Sequence, residues 1–199
     1  MGFLKRNWLK WHLRTCVDGD PHAFGRLYRL PDPWNLDVPG EHIRFRETTR
    51  FITNTIGKHF GSVLEVGCGE GLQSKHLAHL ADRIVGIDPS LLAIKRARSL
   101  KISNATFEVA DVRAYRPWSP TSFNLVTACE LIYYFHDLEE IYHSLGRLGE
   151  ICLATYYERA FDRLDRFFRM KPVACETLHG TSCQWRVVWW KTATTDFVD

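Results

Sequence analysis

Short apolar runs alternate with segments of helical period along the middle of the 199-residue chain. The runs predict buried strands, bounded by turn residues, at residues 62–66, 83–87, 106–109, 123–128 and 151–155. Segments in which apolar residues recur every three to four positions predict helices at residues 72–80, 91–100 and 138–147. Strands that alternate with helices pair in parallel and carry helices on both faces. The pattern therefore predicts an α/β, Rossmann-like, doubly wound sheet.

Two further apolar runs close the chain, at residues 173–179 and 184–190, after a helical segment at 157–169. Only a short glycine-containing turn separates the two runs. Consecutive strands with no helix between them pair antiparallel, because a parallel pair needs a long crossover. We therefore predict a mostly parallel seven-stranded sheet that ends in an antiparallel C-terminal strand pair.

The N-terminal part does not follow the alternation of strands and helices. Residues 3–15 have the pattern of a basic amphipathic helix, residues 22–30 that of a short helix, residues 31–34 that of an extended proline segment, and residues 41–60 that of a longer helix. We expect residues 1–40 to form a helical extension or lid, and residues 41–199 to form the main domain. A basic amphipathic helix also suits a membrane surface, but docking on its own domain is the preferred interpretation.

Three glycines at alternate positions, Gly67, Gly69 and Gly71, follow the first predicted strand at once. Glycines leave room for the backbone to approach a ligand, and the free N–H groups of the turn and of the next helix point into the same space. A dinucleotide fingerprint has the spacing G-x-G-x-x-G, whereas this chain has G-x-G-x-G between Glu65 and Glu70. A pyrophosphate would meet two carboxylates here, but a cationic ligand would not be repelled.

Asp88 ends the second predicted strand, seventeen residues past Gly71. An acid at this place suits the hydroxyls of a ribose. A ribose-bearing ligand with positive charge and no phosphate is S-adenosylmethionine, and Asp111 after the third strand adds to this signal. The alternative is an ordinary strand-to-helix turn without a nucleotide, in which Asp88 serves as a helix N-cap.

The motifs, in this order, resemble class I S-adenosylmethionine-dependent methyltransferases over about residues 60–155. The matching segments are Glu65 to Gly71, Gly86-Ile87-Asp88, Ala110-Asp111-Val112 and Cys129-Glu130-Leu131. A narrower likeness, to the nodulation-factor N-methyltransferases (the NodS-like group), is carried by Asp32-Pro33-Trp34 to Asp37, Glu41-x-x-Arg44 and Glu130-x-x-Tyr133-Tyr134.

The resemblance implies a set of cofactor-binding residues. The glycine turn would receive the methionine part, Asp88 the ribose hydroxyls, and Asp111 with the Val112 N–H the adenine. Arg44 would pair with the cofactor carboxylate. The expected cofactor residues are Trp34, Arg44, Glu65, Gly67, Cys68, Gly69, Gly71, Asp88, Pro89, Asp111, Val112 and Glu130. Packing within the core is the alternative for Trp34, and a carboxylate satisfied by backbone N–H groups is the alternative for Glu65.

Catalytic candidates follow the fourth predicted strand. Glu130 and His136 are suited to take a proton, and Tyr133 and Tyr134 to orient a sugar-like acceptor. The competing interpretation makes His136 a helix cap and one of the tyrosines a core residue. A methyl transfer mainly needs alignment and exclusion of water, so an amine acceptor does not require a strongly perturbed base.

Composition bears on the partners, the compartment and the metal content of the protein. A net charge of +3 without a long basic run argues against nucleic acid as a partner. The six cysteines show no C-x-x-C spacing and favour reduced thiols in a cytoplasmic protein, without an N-terminal signal peptide. The histidines form no metal-ligand pattern, so we predict no metal. The expected partner is a small-molecule acceptor, with a carbohydrate as one candidate, bound by a monomer or a homodimer.

We thus expect an S-adenosylmethionine-dependent methyltransferase of small molecules, first of all one that N-methylates an amino sugar or oligosaccharide intermediate. One alternative is O-methylation of a hydroxylated natural product or a lipid-linked sugar. Another is a catalytically silent methyltransferase fold that acts as a binding subunit.

Overall fold

The computed structural model describes residues 21–117, 123–180 and 183–192. The basic helix predicted at residues 3–15 lies outside these ranges. One seven-stranded sheet forms the centre, with the strand order β3-β2-β1-β4-β5-β7-β6. Its strands are β1 Phe60–Val66, β2 Ala81–Asp88, β3 Ala105–Val109, β4 Phe123–Cys129, β5 Gly149–Tyr157, β6 Ala174–His179 and β7 Gln184–Lys191.

β7 runs in the direction opposite to the other six strands of this sheet. It pairs antiparallel with β5 and with β6, while β1 to β5 pair in parallel. The predicted fold class, a mostly parallel doubly wound sheet with an antiparallel C-terminal strand pair, is confirmed.

The helices cover both faces of the sheet. They are α1 Pro21–Leu27, α2 Pro39–Phe51, α3 Ser74–Leu77, α4 Leu91–Ser99, α5 Leu138–Gly146 and α6 Phe161–Arg169. A π-helical stretch, Ile52–Ile56, extends α2, and single 3₁₀ turns lie at Ala78–Leu80, Ile132–Tyr134 and Glu158–Ala160. The helix predicted at residues 72–80 is thus one α-turn and one 3₁₀ turn.

The proline segment at residues 31–34 is a turn rather than the extended stretch that its prolines predict. Asp32 has a positive φ of 42°, and one of its carboxyl oxygens accepts the Leu36 N–H at 2.6 Å. An aspartate that bonds the backbone ahead of it closes such a turn locally. This reverses the chain between α1 and α2.

Alternate residues of the inner strands point to opposite faces. Leu64 and Val126 join an apolar cluster with residues of α5 and α6, while Val63 and Leu125 join a cluster with residues of α2 and α3. All four are fully buried. Two such layers explain why the strand segments are almost continuously apolar in the sequence.

The sheet reverses its winding between β1 and β4, which pair directly. In open α/β sheets the crevice at the carboxyl ends of the strands at this point is the usual ligand site. The glycine turn after β1 and the polar residues after β2 and β4 all lie there. Across the described residues, no helix is both long and apolar enough to span a bilayer.

Candidate active site

A cavity of about 490 Å³ opens at the carboxyl ends of β1, β2 and β4. This volume is typical of small-molecule sites. Besides the strand ends, its walls come from α1, from the segment that joins α1 to α2, and from the first turns of α2. The cavity thus brings together residues of the sheet and residues of the segment before it.

The glycine turn needs glycine for conformation and for space. Gly67, Gly69 and Gly71 have φ values of 73°, 53° and 80°, in the left-handed region that disfavours side chains. A Cβ at Gly67 would lie 2.9 Å from a methyl group of Leu131, and one at Gly69 would lie 2.7 Å from the Tyr28 hydroxyl. Gly67 and Gly69 line the cavity, whereas the space beside Gly71 is filled by α4.

Asp88 is held at the end of β2 with both carboxyl oxygens engaged. One oxygen accepts the Gly69 N–H at 3.1 Å, and the other accepts the Ser90 N–H at 2.8 Å. Each carboxylate oxygen keeps a second lone pair, so the side chain still has capacity for two hydroxyl donors. Burial raises the pKa of Asp88 to about 6. The N-cap of α4 is Ser90, so the alternative role of Asp88 as a helix cap does not apply.

Glu65 is buried near the end of β1 and lines the cavity. Its carboxylate accepts a hydrogen bond from the Ser74 hydroxyl at the start of α3. Burial raises the pKa of Glu65 to about 7, although Ser74 and Arg44 counteract the shift. A buried carboxyl group with this environment is suited to receive a cationic donor.

Arg44 is the only cationic side chain among the described residues that line the cavity. Its Nε donates to Glu41 at 2.8 Å and its Nη1 donates to the amide oxygen of Gln73 at 3.3 Å. The cavity lining carries five carboxyl groups: those of Glu41, Glu65, Asp88, Asp111 and Glu130. Such an excess of acid suits cationic ligands and disfavours phosphates.

Asp111 and Val112 form the cavity wall after β3, together with Pro89. Arg113 donates to both carboxyl oxygens of Asp111, with 2.6 Å between Nη2 and Oδ2. Partial burial alone would raise the pKa of Asp111, but these bonds hold it below its ordinary value. The guanidinium of Arg113 also lies over the Phe135 ring, 5.5 Å from its centroid. Asp111 thus reaches the cavity as an ion-paired carboxylate.

Glu130 follows β4 with a positive φ of 55°. Its two carboxyl oxygens accept hydrogen bonds from the hydroxyls of Thr155, at 3.0 Å, and Tyr133, at 3.3 Å. Burial raises the pKa of Glu130, opposed by Arg44 and Thr155. Glu130 and Tyr133 both line the cavity. They form a buried acid with a phenol beside it.

His136 lies outside the cavity. Its side chain is exposed, and its carbonyl oxygen accepts Arg163 Nη2 at 2.9 Å. The cap of α5 is Asp137, which accepts the Glu140 N–H, so His136 is not the helix cap either. The residue just before His136, Phe135, does line the cavity.

The predicted site residues therefore divide into two groups. The cavity brings together Trp34, Arg44, Glu65, Gly67, Cys68, Gly69, Asp88, Pro89, Asp111, Val112, Glu130 and Tyr133. Gly71 and His136 are not among its lining residues. Gly71 still shapes the turn, because a Cβ there would lie 3.0 Å from Leu100 and 3.1 Å from Ala97 of α4.

Four aromatic side chains, those of Phe24, Tyr28, Trp34 and Tyr134, form an aromatic wall of the cavity. The motifs identified Trp34 and Tyr134 but not Phe24 and Tyr28. The Trp34 indole donates to the Tyr28 hydroxyl at 3.2 Å, and the Phe24 and Trp34 rings lie 5.4 and 5.6 Å from that of Tyr134. The spacing of Phe24 and Tyr28, one helical turn apart, is the only local signal for these two residues.

The N-terminal segment is fixed to the glycine turn by Glu70. One carboxyl oxygen of Glu70 accepts the Asp32 N–H at 2.9 Å and Arg96 Nη1 at 2.6 Å. Arg96 Nη1 also donates to the Leu30 carbonyl at 3.1 Å. The contact explains why Glu70, which flanks the turn, does not point into the cavity.

The strand order, the glycine turn after β1 and the acid that closes β2 define a class of protein. They are the hallmarks of the Rossmann-like fold of class I S-adenosylmethionine-dependent methyltransferases. Residues 63–149 match the family described as a methyltransferase domain. The methyltransferase class predicted from the sequence agrees with this match, and a solved methyltransferase of the same fold holds S-adenosylhomocysteine, the product of the predicted cofactor.

The chain is also similar to individual proteins. It is 28% identical over 134 residues to nodulation protein S of Bradyrhizobium diazoefficiens, covering 66% of this chain and 62% of that protein. It is 28% identical over 131 residues to the ubiquinone biosynthesis O-methyltransferase of Xanthomonas euvesicatoria, covering 61% and 55%. The matches therefore span less than two thirds of these curated relatives.

Among solved structures, the chain is similar to the N-methyltransferase NodS of Bradyrhizobium japonicum in complex with S-adenosylhomocysteine. The TM-score is 0.66 at 19% identity, with 84% of this chain and 95% of the other covered. At this identity the likeness establishes the fold. The predicted resemblance to the NodS-like group agrees with both comparisons.

Proposed function

We propose that this chain is an S-adenosylmethionine-dependent N-methyltransferase whose acceptor is an amine on a small polar molecule, such as an amino sugar. The observation that carries the proposal is the charge of the cavity. Its described lining holds five carboxyl groups and a single cation, Arg44. One of these acids, Glu130, lies at the end of β4 beside a tyrosine hydroxyl. The similarity of the fold to that of the N-methyltransferase NodS supports the same reaction.

The residues present fit the cofactor. Asp88, anchored through both oxygens, would accept the ribose hydroxyls, and Arg44 would pair with the carboxylate of the methionine part. Glu65 would face the ammonium group, and Asp111 with Val112 would hold the adenine edge. Bound S-adenosylmethionine supplies an electrophilic methyl group, and the products are the methylated ammonium, S-adenosylhomocysteine and one proton.

Glu130 has the position to deal with that proton. An amine acceptor is a cation in water near neutral pH and becomes a nucleophile only when one proton leaves it. The buried carboxylate of Glu130 would attract the ammonium, and its raised pKa lets it hold a proton more readily than an exposed glutamate would. Tyr133, whose hydroxyl donates to Glu130, would help to orient the acceptor.

The aromatic wall suits a carbohydrate. Trp34 and Tyr134 of this wall present ring surfaces together with polar tips. The ring of Tyr133 lies beside the wall, 4.6 Å from that of Tyr134 between centroids. Such side chains complement a ligand with one apolar and one hydroxylated face. The preference for an amine over a hydroxyl comes from Glu130, which stays available to the acceptor when Glu65, Asp88 and Asp111 bind the cofactor, and the preference for a sugar comes from this wall.

Methyl transfer from labelled S-adenosylmethionine tests the proposal with three matched acceptors: a chitooligosaccharide with a free amine, its fully N-acetylated form and a glucose oligosaccharide. We expect methylation of the free amine alone. Glu130→Gln should lower kcat/KM by more than about tenfold and leave the affinity for S-adenosylhomocysteine within about threefold. Methylation of the hydroxyl-only sugar at an equal rate would overturn N-methylation. Absence of any S-adenosylhomocysteine binding in calorimetry would favour the silent binding subunit.

A further inference from the structure

Glu41 and Arg44 form an ion pair at the boundary between the mouth and the floor of the cavity. Both side chains come from α2, and Arg44 Nε lies 2.8 Å from a Glu41 oxygen. The Arg44 side chain is 8% exposed, whereas that of Glu41 is 34% exposed. Glu41 is therefore the partner that can leave, and Arg44 is the fixed one.

The proposed cofactor creates a conflict at this pair. A carboxylate that binds an arginine side-on uses two parallel N–H groups of the guanidinium fork. Arg44 Nη1 faces Gln73, and its Nε is held by Glu41. As long as Glu41 is bound to Nε, a second carboxylate cannot bind the guanidinium side-on through that N–H group. Two carboxylates on one guanidinium edge would also repel each other.

We propose that Glu41 is an exchange partner, which holds Arg44 until the cofactor carboxylate replaces it and then binds the acceptor ammonium at the mouth of the cavity. This inference rests on the proposed function. Glu41 and Glu130 both line the cavity with Arg44 beside them. Once the cofactor neutralises Arg44, the two acids are left without their cation, and an acceptor amine supplies one.

The exchange sets an order of binding. Before the cofactor binds, Glu41 is paired with Arg44. One carboxylate fewer is then available to bind the acceptor ammonium. After it arrives, the acceptor is bound more tightly, and by linkage the acceptor strengthens cofactor binding by the same factor. The residue therefore acts on acceptor affinity and on specificity for cationic acceptors.

Glu41→Gln separates this role from a structural one. The matched control is Glu47→Gln, on the same helix, where Glu47 pairs with Arg46 and Arg50 at 3.6 and 3.8 Å. Calorimetry would compare S-adenosylhomocysteine with 5′-methylthioadenosine, which lacks the amino-acid part. We expect Glu41→Gln to tighten S-adenosylhomocysteine binding by about three- to tenfold and to leave 5′-methylthioadenosine unchanged. The control should change neither.

Weaker or unchanged S-adenosylhomocysteine binding in Glu41→Gln would overturn the exchange, because it would mean that Glu41 only steadies Arg44. In steady-state assays the same variant should raise the KM of the amine acceptor by about three- to tenfold. A KM equal to that of the wild type would overturn the acceptor role. If no amine were methylated at all, the proposed function would fail, yet the comparison of the two adenosine ligands would still decide the exchange at Arg44.

Discussion

One carboxyl oxygen of Asp88 accepts the backbone N–H of Gly69 at 3.1 Å. This bond joins the end of β2 to the glycine turn after β1, and both elements line the cavity. The same carboxylate that would bind the ribose therefore fixes the turn that would face the methionine part. Binding of the cofactor and the shape of the turn are coupled through a single side chain.

We predict that Asp88→Ala weakens binding of S-adenosylhomocysteine by more than about tenfold, since tenfold is about 1.4 kcal/mol and two hydrogen bonds to a carboxylate exceed that. The affinity of Asp88→Asn for S-adenosylhomocysteine should lie between those of Asp88→Ala and the wild type, because the amide keeps one acceptor oxygen. Calorimetry measures both. Equal affinity in Asp88→Ala would contradict the assignment of this residue to the ribose.

The raised pKa of Asp88, to about 6 because of burial, predicts a pH dependence. An acid whose pKa is higher in the folded than in the unfolded state binds its proton more tightly when folded. Stability from this group is therefore present below the unfolded pKa of about 4 and is lost as pH rises through about 6. Urea unfolding across about pH 4 to 7, a range that includes both pKa values, should show this slope, and Asp88→Asn should flatten it.

Ligand affinity should follow the opposite trend, because the ribose hydroxyls bind the carboxylate rather than the neutral acid. We expect S-adenosylhomocysteine affinity to fall as pH drops below about 6. Glu65, with a pKa of about 7, contributes to stability with the same sign, so Glu65→Gln is the companion variant that separates the two. An affinity that rises on acidification would contradict this account.

Gly67→Ala should destabilise the fold by about 1–3 kcal/mol, because a residue with φ of 73° is strained. The added Cβ would also lie 2.9 Å from Leu131. Gly25→Ala is the matched control, since a Cβ at Gly25 meets nothing within 4 Å and alanine favours the helix there. Chemical denaturation of both variants makes the comparison. Equal stability of Gly67→Ala and the wild type would show that the turn relaxes freely.

Much of this fold follows from local pattern. The strand segments were predictable because buried parallel strands are apolar throughout, and the glycine turn was predictable because its three glycines lie within five consecutive residues. The helix after it was predicted too long, since residues 72 and 73 continue the turn before α3 begins at Ser74. The spacing of apolar residues alone does not reveal at which residue a turn ends and a helix begins.

The missing parts of the site depend on distant contacts. Tyr28 reaches the cavity because Glu70 holds the backbone of Asp32, a contact across 38 positions of the chain. No local signal announces such a contact. His136 was placed near the site because it follows β4, but the 3₁₀ turn Ile132–Tyr134 directs Phe135 inward and leaves His136 exposed.

The last prediction concerns the hydroxyl of Thr155, which donates to Glu130 at 3.0 Å from the neighbouring strand β5. A donor to a carboxylate favours the charged form and lowers its pKa, here against the effect of burial. Thr155→Val keeps the shape but removes the donor, so the pKa of Glu130 should rise further. If Glu130 takes the acceptor proton, the acidic limb of the kcat/KM profile should move to higher pH.

Thr155→Ser is the control for this variant, because it keeps the hydroxyl and loses only a methyl group. The pH dependence of kcat/KM in Thr155→Ser should equal that of the wild type. The lost methyl group should lower the free energy of unfolding by about 1 kcal/mol, because Thr155 is buried. A shift of the limb in Thr155→Val but not in Thr155→Ser would identify Glu130 as the titrating group. An identical limb in all three proteins would instead mean that the acceptor sheds its proton to solvent, and that the buried carboxylate attracts the ammonium without taking part in its deprotonation.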